Sequence, residues 1–230
     1  MNKKLSDFEK QLGVTFKHKK LLEQVFIHRS YLNEHHHFPL DHNERLEFLG
    51  DAVLELIVTE YLYLNYKNPE GELTNWRSAL VKGAMLAKVA KTLGMGEYLQ
   101  MSKGEERSGG RDRDALLANA FEALIGAIYL EGGYKQTQKF VSRVLLVNFS
   151  EILEKKLYQD AKSKLQEWSQ EKYGITPIYR VVSESGPDHA KEFTVSLIVG
   201  EQTIAQGGGS SKQKAEEAAA RAAIEKLKLN

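Results

Sequence analysis

The chain has 230 residues, 42% of them hydrophobic and 27% charged, which is enough apolar material for a packed core and excludes wholesale disorder. Lys and Arg number 32 against 31 Asp and Glu, so any nucleic-acid binding must come from local charge placement rather than a global cationic field. Cysteine is absent, which excludes disulfide scaffolds, thiol nucleophiles and cysteine-ligated zinc and fits a reducing compartment.

The opening, MNKKLSDFEKQLG, lacks the apolar stretch of a secretory signal, and no apolar run approaches the roughly 20 residues that span a bilayer. A cytoplasmic chain with no membrane partner is expected. Helical periods follow at Leu21, Leu22, Val25 and Phe26, then at Leu46, Leu49, Val53, Leu54 and Ile57, then at Val81, Met85, Leu86, Val89 and Leu93. The His35-His36-His37 triplet reads as a solvated loop, and the mixed charges from Gly104 to Asp114 as a mobile loop. Ala115 to Leu130 is almost wholly apolar and reads as a buried helix, with one more helix over Tyr134 to Leu153. Residues 1–152 are therefore an all-α domain, and 153–156 a linker. Residues 157–227 change character. A helix over Ala161–Tyr173 precedes strand-like runs at Ile178–Val182, Glu192–Val199 and Gln202–Ala205, and an alanine-rich helix spans Lys212–Leu227. That order is α-β-β-β-α, with two helices available to cover one face of a small sheet.

The densest chemistry lies in His42–Glu55. At about 100° per residue, Glu44, Glu47 and Asp51 fall within about 60° of one another around a helix. The ordinary reading of such spacing is a solvated acidic face. Two details argue against it. The stripe is embedded in apolar neighbours, and Gly50 sits mid-helix at a cost of roughly 1 kcal/mol against Ala, which suggests close approach by another group. Asn119 and Glu122 share one face of the apolar helix, where an unpaired carboxylate is expensive. Glu122 then meets either a cation from the protein or a metal held together with Glu47 and Asp51. Oxygen-only ligands favour Mg²⁺ or Mn²⁺ over zinc.

NERLEFLGDAVLE at 43–55 resembles the signature of the ribonuclease III family, and LLANAFEALIGAIYLEGG at 116–133 resembles its second catalytic helix. Lys164-Leu165-Gln166-Glu167, Gly186-Pro187-Asp188-His189 and Gly209–Glu216 are similar to the pieces of a double-stranded-RNA-binding domain. The resemblance covers nearly the whole chain. It implies a Mg²⁺-dependent endonuclease, with Mn²⁺ a possible substitute, that hydrolyses double-stranded RNA and processes precursor ribosomal and other structured RNAs. It also implies that Glu47, Asp51 and Glu122 bind metal, that Glu44 is a further acid of the motif, and that Glu70 completes the site in some members. The departure is Asn119, where the family has an aspartate ligand. The loss of charge implies weaker metal binding and slower cleavage, or, as the alternative, a protein that binds duplex RNA without cutting it.

The same resemblance places RNA contacts in the second domain. Gln166, Glu167 and Gln170 share part of a helix face and could reach 2′-hydroxyls, and His189 could enter the next minor groove. Ser211 can cap the last helix, with Lys212 and Lys214 adding charge where helix amides attract phosphate. Leu165 and Trp168 are expected in the core. Phe48 points about 100° away from Glu47 and is either plain core or, as in the family, the aromatic anchor of a homodimer.

Overall fold

The computed structural model describes residues 5–156, 158, 161–187 and 191–229. Packing divides the chain into two compact units between Tyr158 and Gln159. The stretch expected to be a linker, 153–156, belongs to the first unit. Leu153 packs on its core, and Tyr158 lies edge-on to Trp76, with ring centroids 6.1 Å apart.

The first unit is helical: α1 (Leu5–Leu12), α2 (Lys19–Val25), α3 (Arg29–Glu34), α4 (Glu44–Asn65), α5 (Glu70–Val81), α6 (Gly83–Thr92), α7 (Lys103–Arg107), α8 (Asp114–Val144) and α9 (Phe149–Glu154). Its centre is the α4–α8 pair. Leu46, Val53, Leu54 and Ile57 on α4 meet a face of α8 carrying Leu117, Phe121, Leu124 and Ile128, all buried. Helices α2 and α6 also pack on α8. By length and composition the Asp114–Glu154 stretch could cross a membrane, contrary to the sequence expectation, but here its apolar side chains form the centre of a globular unit.

Two local details differ from the sequence reading. The expected helix over 134–153 is not one element. Helix α8 runs on to Val144 through a break at Gly133, whose backbone (φ 71°, ψ −174°) only glycine adopts readily. A short 3₁₀ turn, Leu146–Asn148, and α9 follow; the Asn148 amide donates to the carbonyls of Val144 and Leu145 and closes the longer helix. The charged loop is also built. Ser102 caps α7, Arg111 donates to the carbonyls of Gly96 and Leu99, and Arg113 pairs with Glu105. The histidine triplet lies in an exposed loop as expected, with the His35 ring stacked on Tyr31 at 3.9 Å between centroids.

The second unit comprises α10 (Ala161–Tyr173), β1 (Ile178–Ser185), β2 (Glu192–Val199), β3 (Gln202–Gly209) and α11 (Lys212–Leu227). The sheet is antiparallel in the order β1-β2-β3. Leu165, Leu197, Ala219 and Ala223 form its core, with Trp168 packed against them. Strand β3 outruns its expected end at Ala205 because Gly207, Gly208 and Gly209, poor strand formers alone, are needed where α11 lies close. A Cβ on Gly207 would fall 2.1 Å from the Ala219 nitrogen, and one on Gly209 2.8 Å from the Ala215 nitrogen.

Candidate active site and RNA-binding face

The acidic cluster is made by helix contact. A Cβ on Gly50 would lie 1.7 Å from the Glu122 carbonyl oxygen, and one on Gly126 2.3 Å from the Leu46 carbonyl oxygen. Only glycine at both positions lets α4 and α8 touch backbone to backbone. Glu47 and Asp51 on one helix thereby come to face Asn119 and Glu122 on the other. The start of α4 is fixed by Asn43, buried, whose amide donates to the Val25 carbonyl at 2.9 Å while its own carbonyl accepts from the Glu47 N–H at 2.9 Å.

The electrostatics follow from that contact. Burial, then the charges of Asp51 and Glu47, push the Glu122 carboxyl up to about 7 from an ordinary 4.5. Burial, then Glu44 and Asp51, also raise Glu47, opposed by a hydrogen bond from the Asn119 side chain. Glu44 lies at the edge of this group, 3.5 Å from the Arg29 guanidinium and 3.7 Å from His42. Among the described residues, no three acidic or histidine side chains converge into a ready-made chelate. The carboxylates influence one another without closing around a point.

Glu70 does not join them. It begins α5, accepts from the Thr74 hydroxyl at 3.1 Å, and borders a cleft with Thr59, Tyr63 and Arg77. Thr59 is about 12 Å along the α4 axis from Asp51. Phe48 is not core: it is 82% exposed. Leu56 at 57% and Tyr63 at 71% continue an exposed apolar stripe along α4, and a groove beside Phe48 is lined by Leu21, Leu46, Leu49 and Leu130.

In the second unit, Gln166, Glu167 and Gln170 are exposed and share a shallow groove with Ser163, while Leu165 is buried on the other side of α10. Ser163 escaped the sequence reading, although it stands three and seven residues before Gln166 and Gln170, the spacing of one helix face. Gly126 was missed in the same way, four residues after Glu122. Ser211 caps α11, accepting from the Lys214 N–H at 3.2 Å, and the Lys214 ammonium donates to the Ser210 hydroxyl at 3.2 Å. The Lys212 ammonium lies 5.9 Å from the Phe193 ring centroid. His189 is outside the described residues.

A helical unit with an acidic cluster between two glycine-packed helices, followed by a unit with a polar helix face and a capped basic helix end, defines a nuclease-type domain joined to an RNA-binding module. The family model described as Ribonuclease-III-like matches residues 18–149, and that of the double-stranded RNA binding motif matches 161–227. Ribonuclease 3 of Nitratiruptor sp. is 45% identical over 227 residues, 98% of each chain, and that of Streptococcus thermophilus is 42% identical over 233 residues, 99% of each. The crystallised nuclease domain of ribonuclease III from Campylobacter jejuni, described as flexible in a region involved in dimer formation, is 40% identical, with a TM-score of 0.59 over 64% of this chain and 99% of that one. The chain belongs to the ribonuclease III family of double-stranded-RNA endonucleases.

Proposed function

We propose that this chain hydrolyses phosphodiester bonds of duplex RNA at the Glu47–Asp51–Glu122 cluster with Mg²⁺, or Mn²⁺ in its place, that it works as a homodimer, and that Asn119 slows it. One observation carries the metal reading. The Gly50 and Gly126 contacts press α4 against α8, so Glu122 is partly buried beside Glu47 and Asp51, its carboxyl pushed up to about 7 first by burial and then by their charges, and a divalent cation among them would offset that repulsion. The donor set fits Mg²⁺, which takes one or two carboxylates and keeps several waters, better than an ion that demands a closed protein cage. Glu47 and Asp51 from α4 and Glu122 from α8 would hold the ion, with Asn119 offering only a neutral carbonyl oxygen. When bound, it would lower the pKa of an attacking water and neutralise charge on the phosphate.

The protein's own groups do the positioning. The Gly50 and Gly126 contacts fix the separation of the two helices, and so of the acids they carry. Arg29, exposed beside Glu44, can take a phosphate oxygen and offset the repulsion between an acidic site and an anionic substrate. The polar face of α10 would reach 2′-hydroxyls in one minor groove, with His189 for the next, and the N-terminus of α11 with Lys212 and Lys214 would hold phosphates between them.

Phe48, exposed beside an apolar groove, supports the dimer. A duplex has two antiparallel strands, and a twofold pair supplies one cluster for each. If two α4 stripes pair antiparallel about Leu56, the Phe48 end of one chain meets the Tyr63 end of the other. Glu70, out of reach of its own cluster, would then stand near the partner's. Precursor ribosomal and other structured RNAs as substrates, and a cytoplasmic location, belong to the same family reading.

Asn119 favours a second reading, a duplex-RNA-binding protein that does not cut. Both are tested by incubating the chain with long duplex RNA in Mg²⁺ or EDTA, beside Asn119→Asp. Metal-dependent cleavage is expected, about 10²-fold faster in the variant, the usual scale for restoring one charge-stabilising group. Equal rates at saturating Mg²⁺ would remove Asn119 from the explanation. Binding without cleavage by either chain would leave only the second reading.

A further inference from the structure

Helix α5 turns Glu70, Thr74 and Arg77 toward the cleft it shares with Thr59 and Tyr63 of α4. Their own contacts are exposed: Thr74 donates to Glu70 at 3.1 Å and Arg77 to the Thr59 hydroxyl at 3.2 Å. Exposed hydrogen bonds replace bonds to water and fix a helix weakly. Of the twelve residues of α5 only Trp76 and Leu80 are buried, so the helix is seated from its inner side. Trp76 is enclosed by three steeply inclined rings, with centroids 5.4 Å away at Tyr66, 5.5 Å at Phe149 and 6.1 Å at Tyr158. Edge-to-face packing of this kind sets orientation as well as distance. Tyr66 follows directly on α4, and Phe149 begins α9, whose Glu151 pairs with Lys88 of α6 at 3.0 Å and with Lys155 at 2.8 Å. Tyr158 differs from both. It lies in a turn, half-buried, and is the last residue of the first unit before the chain enters the second.

We propose that Tyr158 is a positioning residue: by closing the ring cage around Trp76 it seats α5, and through α5 it sets where Glu70 stands. Trp76 is six residues along the helix from Glu70, about 9 Å of rise, so a tilt at the indole is carried to the carboxylate. Among the described residues, neither Trp76 nor Tyr158 lines the cleft, so both act only through the helix. The end of the first unit is then part of the framework that holds a site acid, and not only the start of a tether to the RNA-binding unit. What Glu70 does for the reaction rests on the reading under Proposed function, whereas the seat of α5 stands on the ring packing alone.

The test uses the full chain carrying Trp168→Phe, which leaves Trp76 as its one tryptophan. Into it go Tyr158→Ala, Tyr158→Phe, Glu70→Ala and the Tyr158→Ala, Glu70→Ala double, with helical content checked by circular dichroism. Acrylamide quenching of Trp76 fluorescence should rise in Tyr158→Ala and stay at the parent level in Tyr158→Phe, which keeps the ring. With duplex RNA and Mg²⁺, Tyr158→Ala should lower kcat about 10-fold, short of the roughly 10²-fold that a 1 Å misplacement can cost, and leave KM unchanged. Tyr158→Phe should restore kcat. On the Glu70→Ala chain, Tyr158→Ala should cost little more, because residues that act through one another are not additive. Unchanged quenching in Tyr158→Ala overturns the seat, and a Tyr158→Phe chain as impaired as Tyr158→Ala overturns the ring packing as its cause. A full loss of kcat that persists beside Glu70→Ala, or a raised KM with kcat unchanged, overturns the positioning of Glu70. A parent that binds duplex RNA without cutting it removes the reading under Proposed function and the catalytic half of this one, while the quenching still decides the seat of α5.

Discussion

Both units bring backbone into contact through glycine, yet to opposite ends. In the helical unit, Gly50 and Gly126 press α4 against α8, and the pairing forces carboxylates from the two helices into partly buried proximity. In the second unit, Gly207 and Gly209 press β3 against α11, and the buried contact holds alanines. The groups that would meet RNA there lie exposed on the outer surfaces of α10 and at the end of α11. The first arrangement creates chemistry by crowding charges that repel. The second displays polar groups on a quiet scaffold. Shape-based recognition needs many solvated contacts in register, whereas phosphodiester hydrolysis needs a few groups under electrostatic stress.

The largest expected effects come from filling these contacts. Gly50→Ala puts a carbon where the Glu122 carbonyl oxygen already lies, so α4 and α8 must separate. A cost of about 3 kcal/mol or more is expected, at the upper end for overpacked cores, with loss of cleavage and preserved duplex-RNA binding. Gly207→Ala should do the reverse, lowering the melting of the second unit and the affinity while the helical unit melts as before. Calorimetry on the full chain reads both. A single shared loss in the two variants would contradict the division of labour drawn here.

Phe48→Ala is next. Burying this side chain in a partner would contribute up to about 3 kcal/mol per side. Sedimentation should show a shift toward monomer with helical content retained, while residues 157–230 alone stay monomeric. If the variant remains a full dimer, Phe48 is not the anchor; if the parent runs as monomer at micromolar concentration, the two-strand model has to be given up.

These cases also show what one sequence can carry. Gly50 was legible because a helix-interior glycine has a known cost and therefore needs a reason, and the structure supplies it in the Glu122 carbonyl. The bounds of α10, β2 and α11 match the expectation because period and caps agree with tertiary packing there. Phe48 could not be placed, since an aromatic one residue from an acidic stripe reads equally as core or interface until its surroundings are known. The turn of Glu70 away from the cluster was hidden for a related reason: it depends on where α5 starts against α4, a tertiary fact with no local signature. The ends of β1 and β3 were lost to sequence that is weak for strands, a register shift near Val182 in one and three glycines in the other.

A smaller effect separates the stressed site from its scaffold by pH. The Glu122 carboxyl stands at about 7 in the folded chain against an ordinary 4.5 when unfolded. Between those values the folded form binds more protons than the unfolded, so stability falls as pH rises through that window. In EDTA the helical unit should therefore lose melting temperature from pH 4.5 toward 7, and Glu122→Gln should flatten that slope. Saturating Mg²⁺ should flatten it too, by stabilising the ionised form. A slope that survives Glu122→Gln unchanged would assign the pH response to another group.

The smallest effect expected is at the display surface, where no single group dominates. Lys212 and Lys214 flank the capped start of α11, and the Lys214 ammonium leans on Ser210 rather than on a carboxylate. Each lysine that neutralises a phosphate releases condensed counterions, so losing both should reduce the slope of log affinity against log salt by about 1–2. The loss should be similar for duplexes of different sequence, because phosphate contacts carry no base information. Cleavage at saturating RNA should be untouched, since both lysines belong to the second unit and the acidic cluster to the first. A salt titration of Lys212→Ala, Lys214→Ala against two unrelated duplexes decides it. An unchanged slope would mean that α11 does not face the phosphates, and a loss confined to one duplex would mean that its lysines read bases after all.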